Sequence, residues 1–174
     1  MTASVERTRR VVHRDSPCHM TQTRLASMSR ASVAEYQDRA DIIDVTHAYC
    51  WALDRNEWHE LDDVFLPEAT AQLGSHTCGD RDEIKRVCSD SLGKLDDSQH
   101  IVATHQVVVD DDTATSRCYL HAQHVRRDAQ GGPHYVVAGR YEDELVRTDV
   151  GWRIKHRVLT VMWTEGNVGA VRGN

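Results

Sequence analysis

The sequence predicts an α+β fold in which helices come first and a run of long strands follows. Residues 32–54 carry apolar side chains at the three- and four-residue spacing of an amphipathic helix. Residues 100–165 instead contain four long β-rich runs, separated by the turn-like stretches DDD, DAQGGP and DVG. Strands with such short links are antiparallel neighbours, so we expect a curved, mixed or antiparallel sheet wrapped around the first helix.

The first half of the chain contains three predicted helices. The apolar stripe of the first comprises Ile42, Val45, Thr46, Tyr49 and Leu53. The stretch RNEWHELDDVFLPEA continues this spacing through Val64 and Phe65, and predicts a second helix that stops at Pro67, which cannot continue a helix. TAQLG then predicts a brief strand, and GDRDEIKRVCSDSLGK predicts a third helix that ends near Gly93.

Length and composition indicate one globular domain, which we place at residues 32–174. The chain has 174 residues, 40% apolar and 28% charged, and no apolar run long enough to span a bilayer. Residues 1–31 form a basic segment whose Ser/Thr/Arg mixture has no periodicity, so we expect a disordered N-terminal arm. The domain itself carries about ten net negative charges, and this surface would repel nucleic acid. We expect neither nucleic acid nor a membrane as a partner.

The cysteines predict a reducing, cytoplasmic setting. There are five of them, which is an odd number, and they are scattered without any Cys-x-x-Cys pair. This pattern argues against both a disulfide framework and a zinc cluster.

Four histidines lie in SQHIVATHQVVVDDDTATSRCYLHAQH, residues 98–124, on two predicted neighbouring strands. Alternation along the second strand puts His124 on a face of small apolar residues and His121 on the opposite face. His100 and His105 likewise have opposite parity. Metal ligands must converge on one point, and neither a His-Glu-x-x-His motif nor a cysteine pair supplements these histidines. We therefore expect no metal site.

The alternative is a proton-handling site that combines His100 and His124 with Asp54, at the end of the first helix. A carboxylate that holds one imidazole nitrogen fixes the tautomer and makes the other nitrogen a proton acceptor near neutral pH. The spacing also fits an interpretation without chemistry. In that case Asp54 caps the second helix, and His100 is a buried histidine whose ring nitrogens have hydrogen-bond partners within the protein. His124 then lies at a strand end in water.

Several stretches resemble the SnoaL-like branch of the nuclear-transport-factor-2-like superfamily, over roughly residues 35–168. They are YCWALDRNEWHELDDVFLPEATAQLG, SQHIVATHQVVVDDDTA, GRYEDELVRTDVGWRIKHRVL and the late EGN. The most similar enzyme patterns are those of scytalone dehydratase and hexachlorocyclohexane dehydrochlorinase, lyases that need neither metal nor organic cofactor. The resemblance implies a cone-shaped α+β barrel with a deep apolar pocket, and no cofactor.

The resemblance also implies roles for individual residues. The helix-end aspartate of both lyases falls on Asp54, and their catalytic histidine falls on His100. The second pocket histidine of the dehydratase falls on His124, which strand parity independently places inward. The dehydratase tyrosine before its aspartate is Leu53 here, and its pocket asparagine falls on Tyr141, so scytalone itself is not the expected substrate.

Further residues are expected to contact substrate: Tyr49, Tyr141, Arg157 and Trp58. The pocket basic residue of the dehydrochlorinase falls near Arg157, whereas Tyr49 fits a core position equally well. Asp143, Arg140 and Arg147 are interpreted as an ion-pairing set on the sheet. An outward face with Val107, Val109 and Tyr119 predicts pairing with further copies of the chain, as a dimer or trimer.

Three functional hypotheses follow. The leading one is a cofactor-independent lyase, a dehydratase or dehydrohalogenase, that uses the His-Asp dyad to take a carbon-bound proton from a small apolar cyclic or polyketide-like substrate. The second is an isomerase or polyketide cyclase with the same base, which leaves the product mass unchanged. The third is a non-catalytic binding or assembly module, which predicts that the pocket is collapsed or filled by side chains.

Overall fold

A computed structural model describes residues 32–172, and the expected disordered arm, residues 1–31, lies outside them. In chain order the elements are α1 (Val33–Asp54), a 3-10 helix (Trp58–Asp62), β1 (Phe65–Leu73), β2 (His76–Cys78), α2 (Arg81–Leu92), β3 (Asp97–Asp110), β4 (Thr113–Val125), β5 (His134–Thr148), β6 (Gly151–Gly166) and α3 (Gly169–Arg172). The predicted α+β class, with helices before four long strands, is confirmed. None of the helices within residues 32–172 is long and apolar enough to cross a membrane.

Helix α1 is fixed at its start by a capping box and along its length by an apolar stripe. The Ser32 hydroxyl accepts a hydrogen bond from the Glu35 backbone N–H, while the Glu35 carboxylate accepts one from the Ser32 backbone. The predicted stripe is buried at Ile42, Thr46, Tyr49 and Leu53. This face packs against β3 and β6, so the last residue of the helix, Asp54, lies beside β3.

The six strands form one mixed sheet in the order β2-β1-β6-β5-β4-β3. Only the β1–β6 pair is parallel, and the predicted antiparallel meander of β3 to β6 is confirmed. The sheet is not closed, because β2 and β3 are both edges, so the predicted barrel is an open sheet. At Gly139 the strands come very close, since an added Cβ would lie 2.5 Å from the Thr160 carbonyl oxygen.

The predicted second helix is wrong in length and in type. Only a five-residue 3-10 helix forms, and β1 already begins at Phe65. Pro67 lies inside this strand rather than at a helix end. It falls in the register break between Phe65 and Thr70, where β1 and β6 do not pair, so its missing N–H removes no bond between the strands. The third helix was predicted correctly and is followed by Gly93.

A bulge in β3 overturns the predicted parity beyond residue 103. Thr104 has a φ of 60°, and the pairing with β4 shifts register at this point. His105 therefore joins the inward face of His100, and Val107 is buried while Val109 packs against the core. The exposed apolar residues of the four long strands are Ile101, Val108, Tyr119, Val161, Met162 and Trp163. Pairing with further copies stays a prediction.

Candidate active site

The C-terminus of α1 and the edge strand β3 meet at Asp54 and His100. The Asp54 Oδ1 atom lies 2.6 Å from His100 Nδ1, and its Oδ2 accepts a 2.9 Å hydrogen bond from the His100 backbone N–H. The carboxylate thus holds both the ring and the main chain of His100. It orients the imidazole with Nδ1 as the donor, and no protein group among residues 32–172 bonds to Nε2. Asp54 and His100 are therefore in contact, as the family resemblance implies.

His124 lies beside this dyad, on β4. Its ring is edge-on to the His100 ring at a centroid distance of 5.6 Å. It is 4% exposed, and its Nδ1 atom is buried without a hydrogen-bond partner. Burial, followed by the neighbouring His100, lowers the pKa of His124 to about 4. At neutral pH this imidazole is therefore uncharged.

A cavity of about 150 Å³ lies between the sheet, α1 and α2. Its polar wall groups are His76, Ser91, His100, His124, Tyr49 and Tyr141. The apolar wall residues include Leu53, Leu120, Ala122, Val137 and Leu159. Val171 of α3 completes the wall from the C-terminal side. The cavity is open and is not filled by side chains.

The two wall tyrosines differ in their partners. The Tyr49 hydroxyl lies 3.7 Å from the Cys88 sulfur, whereas the Tyr141 hydroxyl has no hydrogen-bond partner among the residues that the structure describes. Burial raises the pKa of both phenols well above the ordinary value, so both hydroxyls keep their protons. The predicted inward position of Tyr141 agrees with the structure, and its hydroxyl is a free donor.

Arg157 was expected to contact substrate, but it does not line the cavity. It lies behind the two tyrosines. Its guanidinium carbon lies over both the Tyr49 and the Tyr141 ring, 4.2 and 4.3 Å from their centroids. Two 2.7 Å hydrogen bonds join it to Asp143. Burial alone would lower the pKa of Arg157, but the Asp143 carboxylate outweighs burial and raises it. Arg157 is therefore a permanently charged group whose charge is already balanced.

Sequence reasoning missed this pairing because it placed Asp143 with Arg140 and Arg147. Those arginines bond elsewhere: Arg140 to Glu142, and Arg147 to Asp38. A signal was present, since Asp143 lies two residues after inward-facing Tyr141 on the same strand. It is also the direct cross-strand neighbour of Arg157.

Trp58 was expected to contact substrate, but the structure places it elsewhere. It begins the 3-10 helix and packs against the core beside Gly93, away from the cavity wall. Within residues 32–172 no cluster of three or more histidine, cysteine or acidic side chains is arranged to hold a metal ion.

On the far side of the dyad is a surface groove. Asp54 and His100 both border it, together with the exposed Trp51 and Ile101. The Asp54 side chain is 14% exposed there, while the His100 side chain is 5% exposed. The dyad thus separates the inner cavity from solvent, with the carboxylate on the wet side and the imidazole reaching the cavity.

Comparison with known proteins identifies the family. A model of the SnoaL-like domain matches residues 34–158. The chain belongs to the SnoaL-like family. An uncharacterized protein of Mycobacterium tuberculosis is 36% identical to this SnoaL-like protein over 136 residues, which are 76% of this chain and 90% of the relative.

Several solved structures share this SnoaL-like fold. The Kfla4162 protein of Kribbella flavida superposes with a TM-score of 0.72 at 28% identity, over 79% of this chain and 99% of its own. A Salmonella enterica protein named as a nuclear-transport-factor-2-like superfamily member gives a TM-score of 0.67 at 19% identity, over 77% of this chain and 96% of its own. The hexachlorocyclohexane dehydrochlorinase LinA gives 0.68 at 15%, over 77% and 91%. The last two likenesses concern the fold alone.

Proposed function

We propose that this SnoaL-like protein is a lyase that uses His100 as a base and Asp54 as its orienting partner. The substrate is a small, largely apolar cyclic molecule that loses a carbon-bound proton and a leaving group from the next carbon. The observation that carries the proposal is the 2.6 Å contact between Asp54 and His100 Nδ1 at the edge of an open cavity. LinA, which has the same fold, is a dehydrochlorinase by name.

The proton moves from the substrate carbon to His100 Nε2. The electron pair of the broken C–H bond forms the new double bond, and the leaving group departs with the electrons of its own bond. Asp54 accepts the Nδ1–H throughout and stabilises the imidazolium as it forms. If hydroxide leaves, the proton on His100 returns to it and water is released. If halide leaves, the proton passes to solvent.

His124 and Tyr141 supply hydrogen bonds rather than charge. An uncharged imidazole and a protonated phenol can each donate to an oxygen that becomes negative as the proton leaves. The cavity wall is largely apolar, so such bonds are stronger there than in water. The unpaired Nδ1 of His124 supports this role, because a buried polar atom without a partner is costly until a ligand satisfies it.

An isomerase or cyclase is the second candidate, and the histidine pair favours it. Because the His124 ring is 5.6 Å from the His100 ring, two imidazoles face one small cavity. A proton taken from one carbon can return to another carbon of the same ligand. Product mass separates the two candidates, since elimination removes water or halide and isomerisation leaves the mass unchanged.

Proton abstraction can be tested before the natural substrate is known. Cyclohexanone in D₂O exchanges the hydrogens next to its carbonyl group when a base removes them, and NMR measures the rate. We expect the wild-type protein to accelerate this exchange and His100→Gln to abolish the acceleration. His121→Gln is the matched control, because His121 is exposed on the opposite face of β4. Equal rates for wild type and His100→Gln would contradict the proposal.

Elimination is tested with 3-hydroxycyclohexanone, which gives cyclohexenone and water. Mass spectrometry and ultraviolet absorbance both detect the product. A ring that exchanges its hydrogens but loses no water would favour the isomerase instead.

A further inference from the structure

We infer that the ligand of this cavity is an uncharged molecule with a single six-membered ring and one exocyclic oxygen that accepts hydrogen bonds. The inference deepens the proposed function and rests on it for the choice of cavity. The size, the charge and the polarity of the ligand rest on separate observations. Each of the three can be wrong while proton abstraction by His100 still holds.

The size of the ligand follows from the volume of the cavity. At about 150 Å³ it matches an engineered apolar cavity that stays dry and takes up benzene. Large side chains, Leu53, Leu120 and Tyr141, bound it and are at most 4% exposed, so they cannot swing out into solvent. A second fused ring would have to displace one of these side chains or extend out of the cavity.

The charge of the ligand follows from the residues of the wall. None of the residues that line the cavity is lysine, arginine, aspartate or glutamate. The nearest cation, Arg157, is behind the tyrosines and already carries two hydrogen bonds from its guanidinium to Asp143. His124 is uncharged at neutral pH, because burial lowers its pKa to about 4. A carboxylate or phosphate inside would lose its hydration without gaining an unpaired counter-charge.

The placement of the oxygen follows from the order of residues along β4. His100 pairs in register with Ala122, and Tyr141 pairs with Cys118. These positions are four residues apart, or roughly 13 Å along a strand. The side chains of His100 and Tyr141 therefore start from backbone positions on either side of Leu120, and both reach the cavity wall. A ring over Leu120 has His124 beside the base His100, where its N–H can donate to an exocyclic oxygen next to the reacting carbon.

The test uses Asp54→Asn, in which binding can be measured while proton abstraction is suppressed. Calorimetry or ligand-detected NMR compares three probes: cyclohexanone, cyclohexanecarboxylate and 2-decalone. We expect cyclohexanone to bind both wild type and Asp54→Asn, and the carboxylate and the two-ring ketone to bind at least about tenfold more weakly. The tenfold margin is a threshold that separates a real preference from experimental scatter.

Each result has a defined meaning. Tighter binding of the carboxylate overturns the statement on charge, and equal binding of decalone overturns the statement on size. Failure of cyclohexanone to bind overturns the inference as a whole. In each case the exchange experiment with His100→Gln still decides the proposed function on its own, using any ligand that does bind.

A second variant keeps the size statement testable if decalone binds too weakly to measure. Leu159→Ala removes a half-buried wall residue and enlarges the cavity, so it should raise the affinity for decalone about tenfold relative to cyclohexanone. Val161→Ala is the matched control, since Val161 is exposed on the same strand. Equal effects of the two variants would overturn the size statement.

Discussion

Two carboxylates, Asp54 and Asp143, each hold a nitrogen group on the inner side of the same sheet, but they leave different atoms free. Asp54 holds one nitrogen of an imidazole whose other nitrogen has no hydrogen-bond partner within residues 32–172. Asp143 holds the fully buried guanidinium of Arg157, which cannot give up its proton in the working pH range. The first pair therefore has a free nitrogen that fits the proposed proton transfer, whereas the second packs against the rings of Tyr49 and Tyr141.

Solvent access separates the pairs as well. The Asp54 side chain is 14% exposed at the outer groove, and that of Asp143 is 2% exposed. A proton-transfer group must be reached by both ligand and water, while a packing pair is best kept from both. The contrast supports the proposed role of the Asp54 pair in catalysis and predicts a structural role for the Asp143 pair, and four variants test it.

The largest effect is expected from Asp54→Asn on catalysis. Loss of the orienting carboxylate should lower the exchange rate of cyclohexanone by about 10²- to 10⁴-fold, the usual contribution of a positioned base. Circular dichroism should show that the fold is retained. Asp143→Asn, corrected for the unfolded fraction, should lower the rate far less, and a reversed order would contradict the assignment.

The next effect concerns stability. Asp143→Asn leaves the buried Arg157 charge uncompensated and should lower the free energy of unfolding by about 3–5 kcal/mol. Asp54→Asn should cost clearly less, because its site is partly hydrated. Urea denaturation followed by tryptophan fluorescence measures both. Equal losses would mean that both pairs are structural.

A smaller effect is expected from pH at His124. Its pKa is about 4 in the folded protein, so the unfolded chain, whose histidines titrate near 6.5, binds a proton first as the pH falls. Stability is therefore unaffected above about pH 6.5 and declines between about 6.5 and 4, by about 3 kcal/mol in total. His124→Gln should lack this part of the decline. Parallel stability curves for the two proteins would contradict a neutral His124.

The smallest effect is expected when both members of the buried pair are replaced. Asp143→Leu together with Arg157→Met removes two charges at once and keeps a polarizable side chain between the tyrosine rings. The free energy of unfolding should change by less than about 1 kcal/mol, or rise. The test is again urea denaturation. If the free energy of unfolding fell as much as in Asp143→Asn, the ion pair would stabilise the fold by more than the mutual compensation of its two charges.

The sequence predicted the regular parts of the molecule well, because regular strands and helices keep their period. Alternation along β4 placed His124 inward and His121 outward, and the structure agrees. The position of Asp54 at the end of α1 followed from the apolar stripe of that helix. The contact between Asp54 and His100, 46 residues apart, was reached through the family resemblance, since spacing alone left it open.

The errors fall where the backbone leaves its regular period. The bulge at Thr104 moves every later side chain of β3 to the opposite side of the sheet from the one that strict alternation predicts. The local sequence ATHQ gives no indication that this threonine adopts a positive φ. Pro67 predicts a helix end from its local sequence, but it lies inside β1. The register break that accommodates it depends on the pairing of β1 with β6, and these strands are far apart in sequence. The resemblance to the dehydrochlorinase predicts a pocket position for Arg157, and the interpretation of Asp143 as part of an ion-pairing set with Arg140 and Arg147 hid the buried pair that it forms with Arg157.

The second hydrogen bond of Asp54 gives the candidate site a built-in reporter. The His100 backbone N–H points away from β4, toward the open edge of the sheet, and the carboxylate is its acceptor. When that edge frays, His100 moves away from Asp54, and the carboxylate loses both this backbone hydrogen bond and its contact with the ring. The solvent exchange of this single amide proton, read by NMR, measures how often the dyad comes apart in the resting protein.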